Sequence, residues 1–266
     1  MNTSGTVSHW LGRRLARFLS RPVHVHSPSA AVNLANLTAC LQPADVLLVE
    51  GTTRISTAIK YLTQSTWSHA ALYVGDALGK RSAAGEALIF VEADINDGVR
   101  AVAASAFEGL HCRVCRPVGL TRKEAAQVCA FAISQIGHGY DLKNVFDLAR
   151  YLIPAPPVPV RWRRRLLALG GGDPTRAICS TLIARAFQSV SYPILPLIET
   201  IPSSDPTCAG CVEEVLHIRD YTLYTPRDFD VSPYFQIVKP TLAVGFDPHR
   251  LRWADARSEQ SAGAAC

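Results

Sequence analysis

Five strand-length apolar runs follow one another in the first half of the chain: ADVLLVEG (44–51), SHAALYVGD (68–76), EALIFVEAD (86–94), VRAVAAS (99–105) and HCRVCRPV (111–118). Short runs of this kind, closed by glycine or by polar residues, predict strands. Helical periodicity interrupts them once, in TRISTAIKYLTQ (53–64), where Ile55, Ile59 and Leu62 recur at the spacing of one helix face. Helical sequence then takes over. Thr121 and Glu124 form a T-R-K-E capping box that opens a helix to about Ile136. LKNVFDLARYLI (142–153) is a further helical stretch. After GGGDP, with Asp173 as N-cap and Pro174 in the first helical position, TRAICSTLIARAFQSV (175–190) predicts another. YFQIVKP (234–240) is a late strand, and the expected fold class is α+β.

The 266 residues are 48% hydrophobic, enough for a sizeable core in one large domain. No window approaches the roughly 18 uninterrupted apolar residues of a membrane-spanning helix. The net charge of +5 is compatible with an anionic partner without requiring one. It comes with no nucleic-acid recognition motif, so no nucleic acid is expected as a partner. The glycines at 170–172 lack the Lys and Ser/Thr of a phosphate loop.

No acidic residue precedes Asp45. In SHWLGRRLARFLSRP (8–22), Leu11, Leu15, Phe18 and Leu19 share one helical face, and Arg13, Arg14, Arg17 and Arg21 line the other. The arginines interrupt any secretory apolar region. A membrane-surface anchor, an organelle presequence and a helix docked on its own domain all fit this pattern. The expected organisation is a basic amphipathic helix and lead-in over 1–41, one domain over 42–245, and a disordered tail over 246–266. PAPPVPVRWRRR (154–165) is expected to be a surface excursion whose arginines are a solvated face. The expected location is cytoplasmic, with peripheral membrane contact through the N-terminal helix as one reading.

With no export signal, a disulfide framework is not expected for the eight cysteines. HCRVC and CAGC resemble the halves of a zinc site. Cys112 and Cys115, however, fall three apart in a predicted strand and so point to opposite faces. No metal and no cofactor are expected, although a Cys208–Cys211 redox pair is a further reading.

Three positions carry reactive chemistry. His69 opens a strand, Glu92 lies inside the apolar run LIFVEAD, and Cys179 sits near the start of an amphipathic helix. A carboxylate in an apolar strand costs free energy unless it is paired. A thiol near a helix N-terminus has its thiolate stabilised by the dipole and by free backbone N–H groups. Acyl transfer by a thiol needs such a trio: a thiolate, an imidazole that activates it and later protonates the leaving group, and a polar group that orients the imidazole. The Cys179 N–H would contribute to an oxyanion hole. Each residue alone also has a bland reading, as a satisfied core histidine, a small buried hydrophobe or a solvated acid.

DVLLVEGTTRISTAIKYLTQSTWSHAALYVG, FVEADINDGV, GHGYDLKNVFDLARYL and AICSTLIARAFQS occur in this order. Together they resemble the circularly permuted branch of the NlpC-type papain-like cysteine hydrolases, the YiiX/YebB-like or "lipo-like" group, over roughly residues 42–190. The resemblance implies an antiparallel sheet packed against helices, with the histidine preceding the nucleophile in the chain. It implies His69 as base, Glu92 as orienting group and Cys179 as nucleophile at a helix N-terminus. It also implies that Tyr140 reaches the site. The expected activity is cleavage or transfer at an amide or ester of a peptide or lipid through a thioester acyl-enzyme. A non-catalytic binding module that keeps the cleft, and a zinc-stabilised adaptor, are the alternatives.

Overall fold

The computed structural model describes residues 20–21, 33–138, 178–203, 207–208 and 210–250. The expected N-terminal basic helix (apart from Ser20 and Arg21), Tyr140, LKNVFDLARYLI, the arginine run, the Asp173 cap and residues 251–266 lie outside the described residues.

Strands β1 (Val46–Val49), β2 (His69–Tyr73), β3 (Leu88–Asp94), β4 (Gly98–Ala103), β5 (Cys112–Pro117) and β8 (Phe235–Val238) form one sheet, in the order β4-β3-β2-β1-β5-β8. All of its pairings are antiparallel. The protein is thus α+β, with an antiparallel sheet packed against helices. The five early strands and the late one fall where the apolar runs predict them.

Side-chain alternation sorts the sheet into two cores. Val46, Leu48, Ala70, Leu72, Val91, Ala93 and Cys115 face helices α3 (Arg122–Ser134) and α4 (Ile178–Gln188). Leu47, Val49, Ala71, Phe90, Val102, Cys112 and Val114 form the second core, with Leu37 from helix α1 (Leu34–Cys40) and Phe107. Central β1 is buried at all four positions, so its sequence is continuously apolar rather than alternating. Cys112 and Cys115 belong to different cores, so they cannot share a metal ion.

Caps set the helix starts. Thr121 Oγ1 accepts from the Glu124 N–H at 3.2 Å, while Glu124 Oε2 accepts from the Thr121 N–H at 2.9 Å. Thr53 caps helix α2 (Arg54–Thr63) by a single bond, its Oγ1 accepting from the Ser56 N–H.

Three features depart from the sequence reading. Residues 34–40, within the expected polar lead-in, form α1. Asn33 caps it and Leu37 seats it on the second core, at 1% exposure. Strands β6 (Leu197–Pro202) and β7 (Val212–His217) pair as a separate two-stranded sheet in a region where the sequence reading places no element, and helix α5 (Pro226–Val231) also forms there. The hairpin is exposed almost throughout, so no buried face marks it in the sequence. At its tip Cys208 and Cys211 are joined by a disulfide; the sequence leads to no disulfide framework and offers this pair only as a redox reading. The turn brings them together: the Ser203 N–H donates to the Cys211 carbonyl and the Cys211 N–H to the Cys208 carbonyl. Among the described residues, no helix is long and apolar enough to cross a membrane.

Candidate active site

The junction from β1 to β2 fixes the first site residue. The Ser68 N–H donates to the Val49 carbonyl at 3.1 Å, and the Gly51 N–H donates to Ser68 Oγ at 2.9 Å. Just before it, Trp67 is buried and its Nε1–H donates to Asp230 Oδ2 at 3.0 Å. The Arg113 guanidinium lies over the indole and donates to the same Asp230 carboxylate. His69 is the next residue but one, so an indole held at its N–H edge and on one face leads directly into β2.

A β-carbon at Gly51 would overlap the Ser56 hydroxyl and crowd Ser68 Oγ at 2.9 Å. Ser56 is held in the first turn of α2 and cannot retreat freely. Gly51→Ala is therefore expected to destabilise the fold by about 1–3 kcal/mol. Ser56→Ala in the same chain should recover part of that loss. Chemical denaturation of the single and double variants checks it, and an unaffected single variant would contradict the close approach.

Register explains how His69 meets Glu92. Glu92 in β3 stands opposite Ala71 in β2, and His69 lies two residues before Ala71 on the same face. The two are therefore diagonal neighbours, within reach of long side chains. His69 Nε2–H donates to Glu92 Oε2 at 2.7 Å. Across the other edge of β3, Glu92 stands directly opposite Arg100 in β4. Arg100 donates to Glu92 Oε1 through Nε at 2.9 Å and places Nη2 at 2.8 Å from the same oxygen. The two oxygens of one carboxylate thus serve different partners.

Cys179 lies in α4, and this helix packs across β2 and β3. Its sulfur is close enough to His69, the Ala70 backbone and the Ser180 hydroxyl for each of them to influence its ionisation. Because Nε2 of His69 is engaged by Glu92, Nδ1 is the nitrogen left for the sulfur. Ser180 Oγ is fully buried and has no well-aligned hydrogen bond despite lying beside the sulfur.

The electrostatics follow from these contacts. Burial pushes the Cys179 thiol up, but the His69 imidazolium, by charge and hydrogen bond, the Ala70 N–H and the Ser180 hydroxyl bring it below its ordinary value. Burial pulls His69 down, but the adjacent thiolate and the Glu92 carboxylate raise it to about 10. Burial pushes Glu92 up, but hydrogen bonds and charge from His69 and Arg100 hold it below the usual carboxylate range. The other buried cysteines give the contrast. Burial alone drives Cys112 to about 12 and dominates at Cys115, also about 12, and at Cys129, about 11.

The structure therefore brings together His69, Glu92 and Cys179. Tyr140 lies outside the described residues. Arg100 escapes a reading by motif, although a signal for it exists in the sequence. Asp94 pairs with Gly98 around a turn of Ile95, Asn96 and Asp97, and Gly98 takes a left-handed φ of 71°. Counting outward from a turn centred on Asn96 places residue 100 opposite residue 92. No family model matches the chain, and no curated protein matches it.

Proposed function

We propose that the protein is a cysteine hydrolase or acyltransferase acting on an amide or ester bond of a peptide or lipid, in a permuted papain-like arrangement of the sheet and helices. What supports this reading is the buried His69–Glu92 hydrogen bond with the Cys179 thiol beside the imidazole, surroundings that favour this thiolate where burial disfavours those of Cys112 and Cys115.

The Cys179 thiolate attacks the substrate carbonyl carbon, and the π electrons of the carbonyl move onto its oxygen. In this mechanism the Cys179 N–H helps to stabilise that oxyanion. As the tetrahedral intermediate collapses, the carbon–nitrogen or carbon–oxygen bond breaks and the His69 imidazolium gives its proton to the leaving group. A thioester on Cys179 remains. Neutral His69 then takes a proton from water, or from an acceptor hydroxyl or amine, as that nucleophile attacks the thioester. The thiolate departs and the imidazolium is restored. Glu92 stays ionised throughout, holding the ring through Nε2 so that Nδ1 faces the sulfur.

Selective labelling tests the reading. At mildly acid pH, iodoacetamide and a thiol-directed acyl probe should modify Cys179 well ahead of Cys112, Cys115 and Cys129, with the site mapped by peptide mass spectrometry. Cys179→Ala should keep the fold and lose the labelling. Equal labelling of that variant, or a Cys179 no faster than the other buried thiols, would count against an enzyme and favour a binding module.

A further inference from the structure

We propose that Arg100 is a positioning residue: its guanidinium neutralises the buried Cys179–His69–Glu92 chain and turns the Glu92 carboxylate so that one oxygen is left for His69 alone. This rests on the assignment of Cys179 and His69 as nucleophile and base.

The argument begins with charge. In the reactive form the three groups carry one negative, one positive and one negative charge, a net of minus one. Glu92 is 5% exposed, and an unbalanced buried charge is costly. Arg100 supplies the missing positive charge, giving four groups of alternating sign with no net charge. The second point is direction. Nε and Nη2 of Arg100 both lie on Oε1 of Glu92, while His69 takes Oε2. With Oε1 occupied, the carboxylate cannot rotate away without losing the guanidinium. Position is the third point. The Arg100 side chain is 42% exposed, and its remaining nitrogen, Nη1, reaches Asp97 at the β3–β4 turn. Asp97 holds the guanidinium from the solvent side, so Arg100 bridges the turn and the buried carboxylate.

Among the described residues, the charged and titratable groups facing Glu92 are His69 from β2 and Arg100 from β4, with Cys179 from α4 beyond His69. Asp94 and Asp97 reach it only through Arg100, Asp94 at 4.0 Å from the guanidinium. The two turn carboxylates are more exposed than Glu92, so solvent screens their charge more strongly.

Removing the guanidinium leaves Glu92 easier to protonate and the thiolate less favourably placed, and both effects move the acid limb of Cys179 reactivity to higher pH. The experiment measures the iodoacetamide alkylation rate at Cys179 against pH in the full chain, with thermal unfolding of each variant as the check on folding. In Arg100→Gln the acid limb should rise by about one pH unit, so that the rate at a fixed pH on that limb falls about tenfold. The plateau rate should be unchanged. Arg100→Lys, which restores charge without the fork, should recover most of the shift. Where Glu92→Gln is already present, adding Arg100→Gln should move the limb no further. That comparison stands even if the single variant fails to fold, because both members of the charge pair are then neutral.

An unmoved limb in folded Arg100→Gln, or a full-unit shift in the Glu92→Gln background, overturns the role of Arg100 and leaves the proposed nucleophile intact. An ordinary thiol titration of Cys179 in the unmodified protein overturns both.

Discussion

Replacing His69 with alanine is expected to leave at most about one hundredth of Cys179 ionised at neutral pH, and its alkylation rate should fall accordingly. Burial opposes ionisation of this thiol, and His69 is the largest influence working against it. Without the imidazolium, even a return to the ordinary value of 9.0 would leave only about one molecule in a hundred ionised at pH 7. Cys112 and Cys115, at about 12, show where burial without a partnering imidazolium leads. The ionised fraction of the variant should therefore be smaller still unless water fills the vacated space.

The pH dependence has a definite sign. The thiolate–imidazolium pair forms as pH rises through the lowered Cys179 value. It is lost as pH rises through the raised His69 value near 10, where the general acid of the proposed mechanism disappears. Turnover should be bell-shaped between these limits. Alkylation needs only the thiolate, so it should rise on the acid side and stay high on the alkaline side. Alkylation kinetics mapped to Cys179 across pH check this, and an unchanged rate at neutral pH in His69→Ala would contradict the pairing.

The largest expected loss of stability comes from Arg116→Met, about 3–5 kcal/mol. Asp45 is fully buried at the entry to β1. It accepts from Arg116 Nε at 2.9 Å, from Nη2 at 2.7 Å and from the Gln42 N–H at 2.8 Å. Arg116 also donates to the Cys40 carbonyl at the end of α1, tying that helix to β1 and β5. Burial raises the Asp45 pKa despite the guanidinium. A carboxyl whose folded pKa lies above its unfolded one costs stability as pH rises through that interval, because the folded state holds its proton longer. Removing Arg116 raises the folded value further, so Arg116→Met should lose more stability at neutral pH than at acid pH. Pairing it with Asp45→Asn should restore much of the loss. Urea denaturation of the three variants at both pH values checks the prediction, and pH-independent destabilisation would contradict it.

Much of this arrangement is legible in the sequence where the signal is local. The capping box at Thr121 and Glu124 needs only residues three apart, and it appears at the predicted helix start. The runs at 46–49 and 88–94 are strands because a strand's side-chain pattern is written into consecutive residues. Glu92 stands out as a carboxylate that an apolar strand would not hold without a partner. Helix α1 is missed because one seven-residue helix with a single fully buried leucine carries too little periodicity. The β6–β7 hairpin is missed because exposed strands lack the alternation that burial imposes. The disulfide depends on a turn that the spacing of two cysteines does not specify.

From the order of residues alone follow the kinds of element, their approximate limits, and the three side chains whose chemistry is worth joining. Tertiary structure decides that they are joined. Antiparallel register puts His69 and Arg100 on opposite oxygens of Glu92, and the packing of α4 across β2 and β3 brings the Cys179 sulfur to the ring. Periodicity and capping act over a few residues, whereas register and packing depend on every strand between them. Proximity across the fold, and the shifted pKa values that follow from it, therefore emerge only when the whole sheet is assembled.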